Sequence, residues 1–326
     1  MLRALFLMLS LFTGLVQAAP ILREPIELDT GQGTLYGSLV LPQRAHAVPV
    51  ALLVAGSGPT DRNGNNPGGG NNDAHRRLAQ MLAQHGIASV RFDKRGIAAS
   101  YPAAPDERQL SIERYVADVA AWGKKLHGDK RFSQLILIGH SEGALIASLA
   151  AADAGADGLI SIAGSSRPID QVLQEQLRHR LPDELRAQSD SLLEALRQGH
   201  EVADVPKELQ VLYRPSVQPY LISLFRQDPA AAFARVRVPA LILQGSHDIQ
   251  VDVQDALALH AAKPDAQMHI IGSMNHVLRI VPEDFEAQMA SYNDPKLPLA
   301  RELSTQIVQF IDALPPAETK IAADKH

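Results

Sequence analysis

The amino-acid sequence predicts an α/β fold, in which a mostly parallel central sheet is flanked by helices and carries a helical insertion. The first observation is that short apolar runs alternate with helix-forming segments along most of the chain. The second is a glycine-rich turn at 139–143 that joins an apolar run directly to a helical segment. With 326 residues, 46% of them hydrophobic, the chain can form one large α/β domain or two small ones.

Each predicted element follows from its local pattern. Gly31-Gln32-Gly33 is a hairpin signal, so two strands are predicted within about 24–41. Ser111 is the expected N-cap of one helix, and Gly86 ends the helix before it. The other strands are predicted at 48–54, 87–92, 134–138, 158–163, 238–244 and 268–271. Helices are predicted at about 74–85, 111–126, 144–150 and 299–314, with another between the last two strands.

Residues 166–235 differ from the rest, because they are charged, helical in pattern and broken by prolines, without a convincing buried strand. We expect a helical lid over the carboxyl edge of the sheet. For its apolar residues, packing on the sheet is the favoured role, and lining an acyl pocket is the alternative. These residues are Leu173, Leu177, Leu192, Leu193, Leu196, Leu221, Leu224 and Phe225. The predicted division is a signal peptide at 1–18, core at 19–165 and 236–314, the lid insertion at 166–235 and a flexible tail at 315–326.

The N-terminal residues have the pattern of a secretory signal peptide. A positive start at Arg3 precedes an apolar stretch at 4–16, and Val16-Gln17-Ala18 is a small-residue cleavage pattern. Cleavage after Ala18 would give an exported protein, periplasmic or secreted. An uncleaved membrane anchor is the alternative, but the apolar stretch is short for a span.

Composition excludes several function classes. A net charge of −5 without a run of Lys or Arg argues against nucleic acid as a partner. The chain has no cysteine, which excludes thiol catalysis, disulfides and thiolate metal sites. The loop at 63–72 is rich in Asn and Gly but lacks the alternating carboxylates of a calcium loop, so no metal or other cofactor is expected. No stable membrane insertion is expected after signal cleavage, and the oligomeric state stays open.

The segment Gly139-His140-Ser141-Glu142-Gly143 is a G-x-S-x-G motif between a predicted strand and a predicted helix. Such a turn is so tight that the serine backbone is strained, and small residues on both sides avoid collisions with the strand and the helix. Ser141 is therefore predicted to be a catalytic nucleophile whose hydroxyl projects over the strand end. A turn with an inert serine is the alternative.

A serine nucleophile needs a base that accepts its proton. Of the 12 histidines, His276 is favoured because it stands in a turn directly after the predicted strand 268–271. That position brings it to the sheet edge where Ser141 emerges. A solvent-exposed loop histidine is the alternative.

The base in turn needs an acid that orients it. Asp248 is favoured because it follows the buried strand 238–244 and reaches the same edge of the sheet. Asp252 and Asp255 are competitors, although Asp252 is better placed to cap the following helix.

The motifs together resemble the α/β-hydrolase superfamily, in which the triad follows the order Ser, Asp, His. The stretch at 55–64, AGSGPTDRNG, resembles the G-S-G-P-x-D-R-[ND]-G loop of a bacterial serine esterase group related to dienelactone hydrolases and acyl-peptidase-like hydrolases. The stretch at 92–96, FDKRG, with Ser100 after it, is similar to the D-x-R-G-x-G-x-S stretch of the superfamily, with Ala98 replacing the second glycine. The resemblance covers about 24–314.

The resemblance also implies an oxyanion hole made of two backbone N–H groups. One belongs to Glu142, the residue after the nucleophile. The other, by alignment with the H-G-x segment of relatives, belongs to Ser57, and Gly56 and Gly58 let the backbone turn toward the substrate. Gly56, Gly58 and Arg62 are the candidate substrate-binding residues.

Charged residues near these motifs have local roles as their first interpretation. Asp61 and Arg62 are expected to pair and hold the loop, with substrate contact by Arg62 as the weaker alternative. The Glu142 side chain is expected to interact with the helix dipole. Asp93 and Arg95 are expected to brace their turn.

The predicted function is an exported serine hydrolase that cleaves carboxylic esters through a Ser-His-Asp triad and an acyl-enzyme. A peptidase or amidase, a thioesterase and an acyltransferase are alternatives with the same triad. A non-catalytic binding protein on the same scaffold is less favoured. The expected partner is a small-molecule ester, whose acyl and alcohol groups the sequence does not specify.

Overall fold

A computed structural model describes residues 20–178 and 180–316 of the chain. The predicted signal peptide at 1–18 lies outside the described residues, as does 317–326 of the predicted tail. Eight strands form one sheet. They are β1 (Ile21–Asp29), β2 (Thr34–Pro42), β3 (Val48–Val54), β4 (Ala88–Phe92), β5 (Phe132–His140), β6 (Gly158–Ile162), β7 (Ala240–Gly245) and β8 (Gln267–Ile271).

The strand order is β1-β2-β4-β3-β5-β6-β7-β8. β2 is antiparallel to both of its neighbours, whereas β3 to β8 run parallel to one another. The predicted mostly parallel sheet is confirmed. Because parallel strands end on the same side, the loops after β3, β5, β7 and β8 meet at one edge.

Helices cover both faces of the sheet, which explains why its strands are apolar on both sides. α2, α3 and α9 contribute to the core on one face, and α1 and α11 to the core on the other. The sequence pattern did not predict the short helix α10. The helices are α1 (Ala74–Gln84), α2 (Ile112–His127), α3 (Glu142–Ala154), α4 (Ile169–Arg178), α5 (Asp183–Arg197), α6 (Gln210–Tyr213), α7 (Gln218–Phe225), α8 (Pro229–Ala234), α9 (Val253–Ala262), α10 (Phe285–Ser291) and α11 (Arg301–Asp312).

The segment 166–235 contains helices α4 to α8 and, in its described residues, no strand. Its apolar side chains mostly form a core of their own, so the expectation that they pack on the sheet is wrong for most of them. The physical reason is that α5 and α7 pack against each other and bury each other's apolar faces. There are two exceptions: Leu224 joins the core on the sheet, and Leu173 belongs to neither cluster. The separate cluster includes Leu192, Leu193, Leu196 and Leu221, with Leu177 and Phe225 packed against it.

Within 20–178 and 180–316, no helix combines the length and the hydrophobicity that a membrane span requires.

Candidate active site

Ser141 occupies a strained turn between β5 and α3. Its φ is 55° and its ψ is −124°, a conformation that costs a residue with a side chain roughly 1–3 kcal/mol. The flanking glycines are required sterically. A Cβ on Gly143 would lie 2.8 Å from the carbonyl oxygen of Ala55, and one on Gly139 would lie 2.6 Å from the backbone nitrogen of Ala144. The turn therefore needs glycine on both sides of the serine, as the motif indicated.

The structure brings His276 and Asp248 together at the same sheet edge. Nδ1 of His276 lies 2.8 Å from Oδ2 of Asp248, and both side chains are buried. Because the carboxylate accepts hydrogen bonds, Nδ1 carries the hydrogen and Nε2 is left as the basic nitrogen. His276 and Ser141 line the same cavity.

Four donors hold the Asp248 carboxylate in place. Oδ1 accepts from the backbone N–H groups of Gln250 at 2.8 Å and Val251 at 3.0 Å. Oδ2 accepts from His276 and, at 3.3 Å, from Nε2 of Gln244. Burial alone would raise the pKa of Asp248, but the charge and hydrogen bond of His276 and the two N–H groups lower it below its usual range. The carboxylate is therefore ionised at neutral pH.

The two competing aspartates have other partners. Asp252 is the N-cap of α9, and its Oδ1 accepts from the N–H of Gln254 at 2.7 Å. Asp255 is buried and accepts from the N–H and hydroxyl of Ser166, both at 2.9 Å. Neither carboxylate is hydrogen-bonded to His276.

Two further histidines stand beside the predicted base. His140 lies with its ring 4.8 Å from that of His276, and its Nε2 donates to the carbonyl oxygen of His276 at 2.9 Å. His75, from α1, packs edge-on against His140. Burial, with smaller contributions from the charges of His276 and His75, lowers the pKa of His140 well below 6.5. His140 is therefore neutral at pH 7 and does not repel a protonated His276.

The loop after β3 approaches Ser141 closely. A Cβ on Gly56 would lie 3.2 Å from Cβ of Ser141. Ser57 lines both cavities beside Ser141, and Gly56 lines one of them. Glu142 is the first residue of α3, where a backbone N–H has no intrahelical acceptor. The residues predicted to supply the two N–H donors thus flank the serine. Gly58, with φ 65°, is turned toward Asn66 and is not among the residues that line these cavities.

The expected pairing of Asp61 with Arg62 is wrong. Arg62 instead donates to Asp93 twice, from its backbone N–H at 2.8 Å and from Nη2 at 2.6 Å. Asp61 accepts from the backbone N–H groups of Asn63 and Asn65. Arg62 does not line either cavity beside Ser141, because the buried carboxylate of Asp93 draws its guanidinium away. The loop is therefore tied to the turn after β4.

That turn has the bracing interactions expected of it. Arg95 pairs with Asp118 of α2 at 2.6 Å, and both side chains are buried. Asp93 also accepts from the backbone N–H of Ala99 at 3.1 Å. Ala98, which replaces the glycine of the superfamily pattern, has a φ of 44°. The left-handed backbone is thus adopted by alanine, at a cost of roughly 1–2 kcal/mol.

Ser141 lies between two cavities with different sets of side chains. The first, of about 200 Å³, is called the apolar cavity for the aliphatic side chains of Leu145, Ile169, Val172 and Leu173, although polar and charged side chains line it as well, among them Glu142, Arg167, Gln176, Gln227 and Asp255. The polar cavity, of about 120 Å³, is lined by amide, imidazole and hydroxyl groups. Its side chains include Thr60, Asn66, Asn72, His75, His140, Gln250, His276 and Tyr292.

The sequence reasoning missed most of the residues that line these cavities. His75 lies on α1, Gln250 follows β7 and Tyr292 ends α10, and none belongs to a motif. They come together because the start of α1, the loop after β7 and the end of α10 all lie at the same sheet edge. Two features together could have indicated them: a predicted position at that edge, and a polar side chain within an otherwise apolar segment.

Acid is expected to destabilise the fold through the buried histidines near the site. Burial, with the charges of Arg91 and Lys94, lowers the pKa of His75 from 6.5 to about 4. The unfolded chain therefore binds protons at a higher pH than the folded chain does, so the stability is full above pH 6.5 and falls as the pH falls toward 4. The shift of His75 alone corresponds to roughly 3 kcal/mol of unfolding free energy.

Denaturant unfolding between about pH 7 and about pH 4.5 tests this expectation. His75→Phe should flatten the dependence of the unfolding free energy on pH, because one titrating ring is removed. His85→Gln, at an exposed position after α1, is the control and should keep the wild-type slope. Equal slopes in His75→Phe and wild type would contradict the role assigned to His75.

Residues 69–280 match the family Hydrolase_4, described as serine aminopeptidase, S33, which covers more than half of the chain. The esterase EstD of Thermotoga maritima is 27% identical over 256 residues, which cover 77% of this chain and 60% of that protein. The chain therefore spans about 60% of the length of this curated relative.

Two solved structures show the same fold at low identity. Est1E from Butyrivibrio proteoclasticus with bound ferulic acid has a TM-score of 0.59 and 14% identity, covering 88% of this chain and 99% of that chain. Dienelactone hydrolase from Anabaena variabilis has a TM-score of 0.51 and 15% identity, covering 90% of this chain and 98% of that chain. The predicted resemblance to the α/β-hydrolases is confirmed, and the chain belongs to the Hydrolase_4 family of serine aminopeptidase S33 type.

Proposed function

We propose that the chain is an exported serine hydrolase that cleaves carboxylic esters through an acyl-enzyme. The observation that carries the proposal is the hydrogen bond of 2.8 Å between His276 and Asp248. His276 lines the same cavity as the strained Ser141. This combination supplies a nucleophile, a base in the correct tautomer and an ionised orienting acid.

The reaction proceeds in two displacements. Oγ of Ser141 attacks the ester carbonyl while Nε2 of His276 accepts its proton, and Asp248 stabilises the imidazolium. The oxyanion accepts hydrogen bonds from the N–H groups of Ser57 and Glu142. His276 then donates its proton to the leaving alcohol. Water, deprotonated by His276, attacks the acyl-enzyme, and collapse of the second tetrahedral intermediate releases the acid and restores Ser141.

The two cavities suggest how an ester is divided across the site. The apolar cavity suits a short acyl chain, since Leu145, Val172 and Leu173 line it and its volume is about 200 Å³. The polar cavity suits the alcohol group, because its amide and imidazole groups offer hydrogen bonds. On this proposal the insertion acts as a lid that forms one wall of the acyl cavity.

A peptidase is the second candidate, because the family description names a serine aminopeptidase. An aminopeptidase needs a carboxylate free to bind the substrate ammonium group. No described residue that lines the polar cavity is acidic. The two carboxylates of the apolar cavity are engaged, Glu142 with Tyr220 and Asp255 with Ser166. These contacts favour the ester, as does the similarity to the esterase EstD.

Export is proposed on the signal-peptide pattern that ends at Ala18. N-terminal sequencing of the mature protein should begin at Ala19. A mature chain that retains Met1 would contradict this part of the proposal.

Covalent labelling and a substrate comparison test the proposed activity. A fluorophosphonate should add once to the folded protein, on the peptide that contains Ser141. Turnover of p-nitrophenyl esters from acetate to palmitate should exceed turnover of an aminoacyl p-nitroanilide, with the short acyl chains preferred. A folded sample that takes no label would overturn the hydrolase proposal, and faster turnover of the anilide would favour the peptidase.

A further inference from the structure

Lys94 is a buried lysine whose ammonium group reaches the loop beside the nucleophile. It stands in the turn after β4 and is 2% exposed. Its Nζ donates a hydrogen bond to the carbonyl oxygen of Gly56. The mechanism proposed above does not use Lys94. A buried lysine is costly, because its charge loses its hydration, so its position calls for a physical reason.

The acceptor of this hydrogen bond belongs to the same peptide group as the N–H of Ser57. No cis peptide occurs among the described residues, so the carbonyl of Gly56 and the N–H of Ser57 point in opposite directions. Anchoring the carbonyl oxygen on Lys94 therefore fixes the direction of the Ser57 N–H, which points away from Lys94 within the same peptide plane. Ser57 lines both cavities with Ser141.

Two nearby groups, Tyr115 and Glu142, favour a positive charge on Lys94. Its Nζ lies 5.3 Å from the centre of the Tyr115 ring. Burial holds the pKa of Lys94 below its usual range, and the charge of the Glu142 carboxylate opposes this shift in part. Glu142 is the residue predicted to supply the second oxyanion donor, so Lys94 interacts with both sides of the predicted oxyanion hole.

The insertion completes this arrangement. The hydroxyl of Tyr220, on α7, donates to Oε1 of Glu142 at 2.6 Å. Burial, with the charge of Glu142, raises the pKa of Tyr220, so the phenol stays protonated and remains a donor. The rings of Tyr220 and Tyr115 meet edge-on at 5.7 Å. The Glu142 carboxylate thus accepts a hydrogen bond from a residue of the insertion and interacts electrostatically with Lys94.

We propose that Lys94 is a positioning residue for the oxyanion hole, which orients and polarises the Gly56–Ser57 peptide so that the Ser57 N–H donates to the developing oxyanion. The inference rests on the proposed ester hydrolysis at Ser141. Hydrogen bonding at a peptide carbonyl polarises the amide and makes its N–H a stronger donor. Glu142 is the counter-charge that makes the buried ammonium tolerable.

Replacement of Lys94 by methionine tests the proposal, since methionine has a similar length and no donor. In Lys94→Met, kcat should fall by about 10- to 100-fold, less than the loss of a whole oxyanion donor, while KM changes little. The control is Lys263→Met, which removes another buried lysine whose partner is Asp265. It should keep kcat and KM.

A transition-state analogue separates positioning from a packing role. A trifluoromethyl ketone adds to Ser141 and forms a tetrahedral oxyanion, whereas the corresponding secondary alcohol cannot. Affinity for the ketone should weaken in Lys94→Met by the same factor as kcat/KM, and affinity for the alcohol should be unchanged. A role in packing alone would weaken both to a similar extent.

The proposed ester hydrolysis and the proposed role of Lys94 can each be overturned by a different result. Wild-type protein without ester turnover would overturn the proposed function itself. Wild-type turnover together with a folded Lys94→Met of unchanged kcat would overturn only the role of Lys94. If Lys94→Met does not fold, Lys94→Gln is measured in the same way. If neither variant folds although Lys263→Met does, Lys94 is required for folding and the proposal is also overturned.

Discussion

Replacing Ser141 by alanine is expected to lower kcat for the best ester by about 10⁴- to 10⁶-fold. The methyl group cannot attack the carbonyl, so only binding and the backbone N–H donors remain to accelerate hydrolysis by water. The fold should be retained, because alanine keeps the Cβ in the same strained turn, with φ at 55°. The measurement is steady-state turnover of the preferred p-nitrophenyl ester, with circular dichroism to verify folding.

Ser148→Ala is the matched control for this variant. Ser148 lies on α3, the helix that follows Ser141, and its hydroxyl donates to the carbonyl oxygen of Ala144 at 2.7 Å. It does not line either cavity beside Ser141. Ser148→Ala should therefore keep kcat within about threefold, since a hydroxyl that does not line the site contributes only to stability. Undiminished turnover in Ser141→Ala would exclude Ser141 as the nucleophile.

The parts of the site that could be predicted from the sequence share one property. Ser141, Asp248 and His276 each lie in the turn or loop that follows a strand of the parallel sheet. The strand direction then places them at one edge, whatever the details of side-chain packing. The N-cap Ser111 could also be predicted, because capping depends only on neighbouring residues. Its hydroxyl accepts from the N–H of Arg114.

The parts that could not be predicted depend on contacts between side chains far apart in the chain. Arg62 pairs with Asp93, 31 residues away, rather than with its neighbour. Tyr220 reaches Glu142 across 78 residues. Neither partner follows from hydrophobic periodicity, because periodicity indicates which face of an element is buried and not which polar atoms meet there. The leucines of the insertion were misassigned to the sheet for a related reason: the pattern does not tell which surface an apolar face covers.

Replacing Asp248 by asparagine is expected to lower kcat by about 10⁴-fold, through the tautomer of His276. Oδ1 of Asp248 accepts from the N–H groups of Gln250 and Val251. The introduced amide must place its oxygen there, because its NH₂ group would face two donors. The NH₂ group is then directed at Nδ1 of His276, which becomes an acceptor. Nε2 carries the hydrogen instead, and it cannot accept the proton of the nucleophile.

Asp252→Asn is the matched control, since it makes the same chemical change four residues along the chain. Asp252 caps α9 through a carboxylate oxygen, and asparagine is an equally good N-cap, so stability and kcat should both be retained. If Asp252→Asn lost activity and Asp248→Asn kept it, the orienting acid would be misassigned. A large loss in Asp248→Asn with unchanged KM and a normal melting temperature would instead locate the defect in the proton transfer to His276. Asp248 and Asp252, which follow the same strand, would then be distinguished by the hydrogen bonds that each makes.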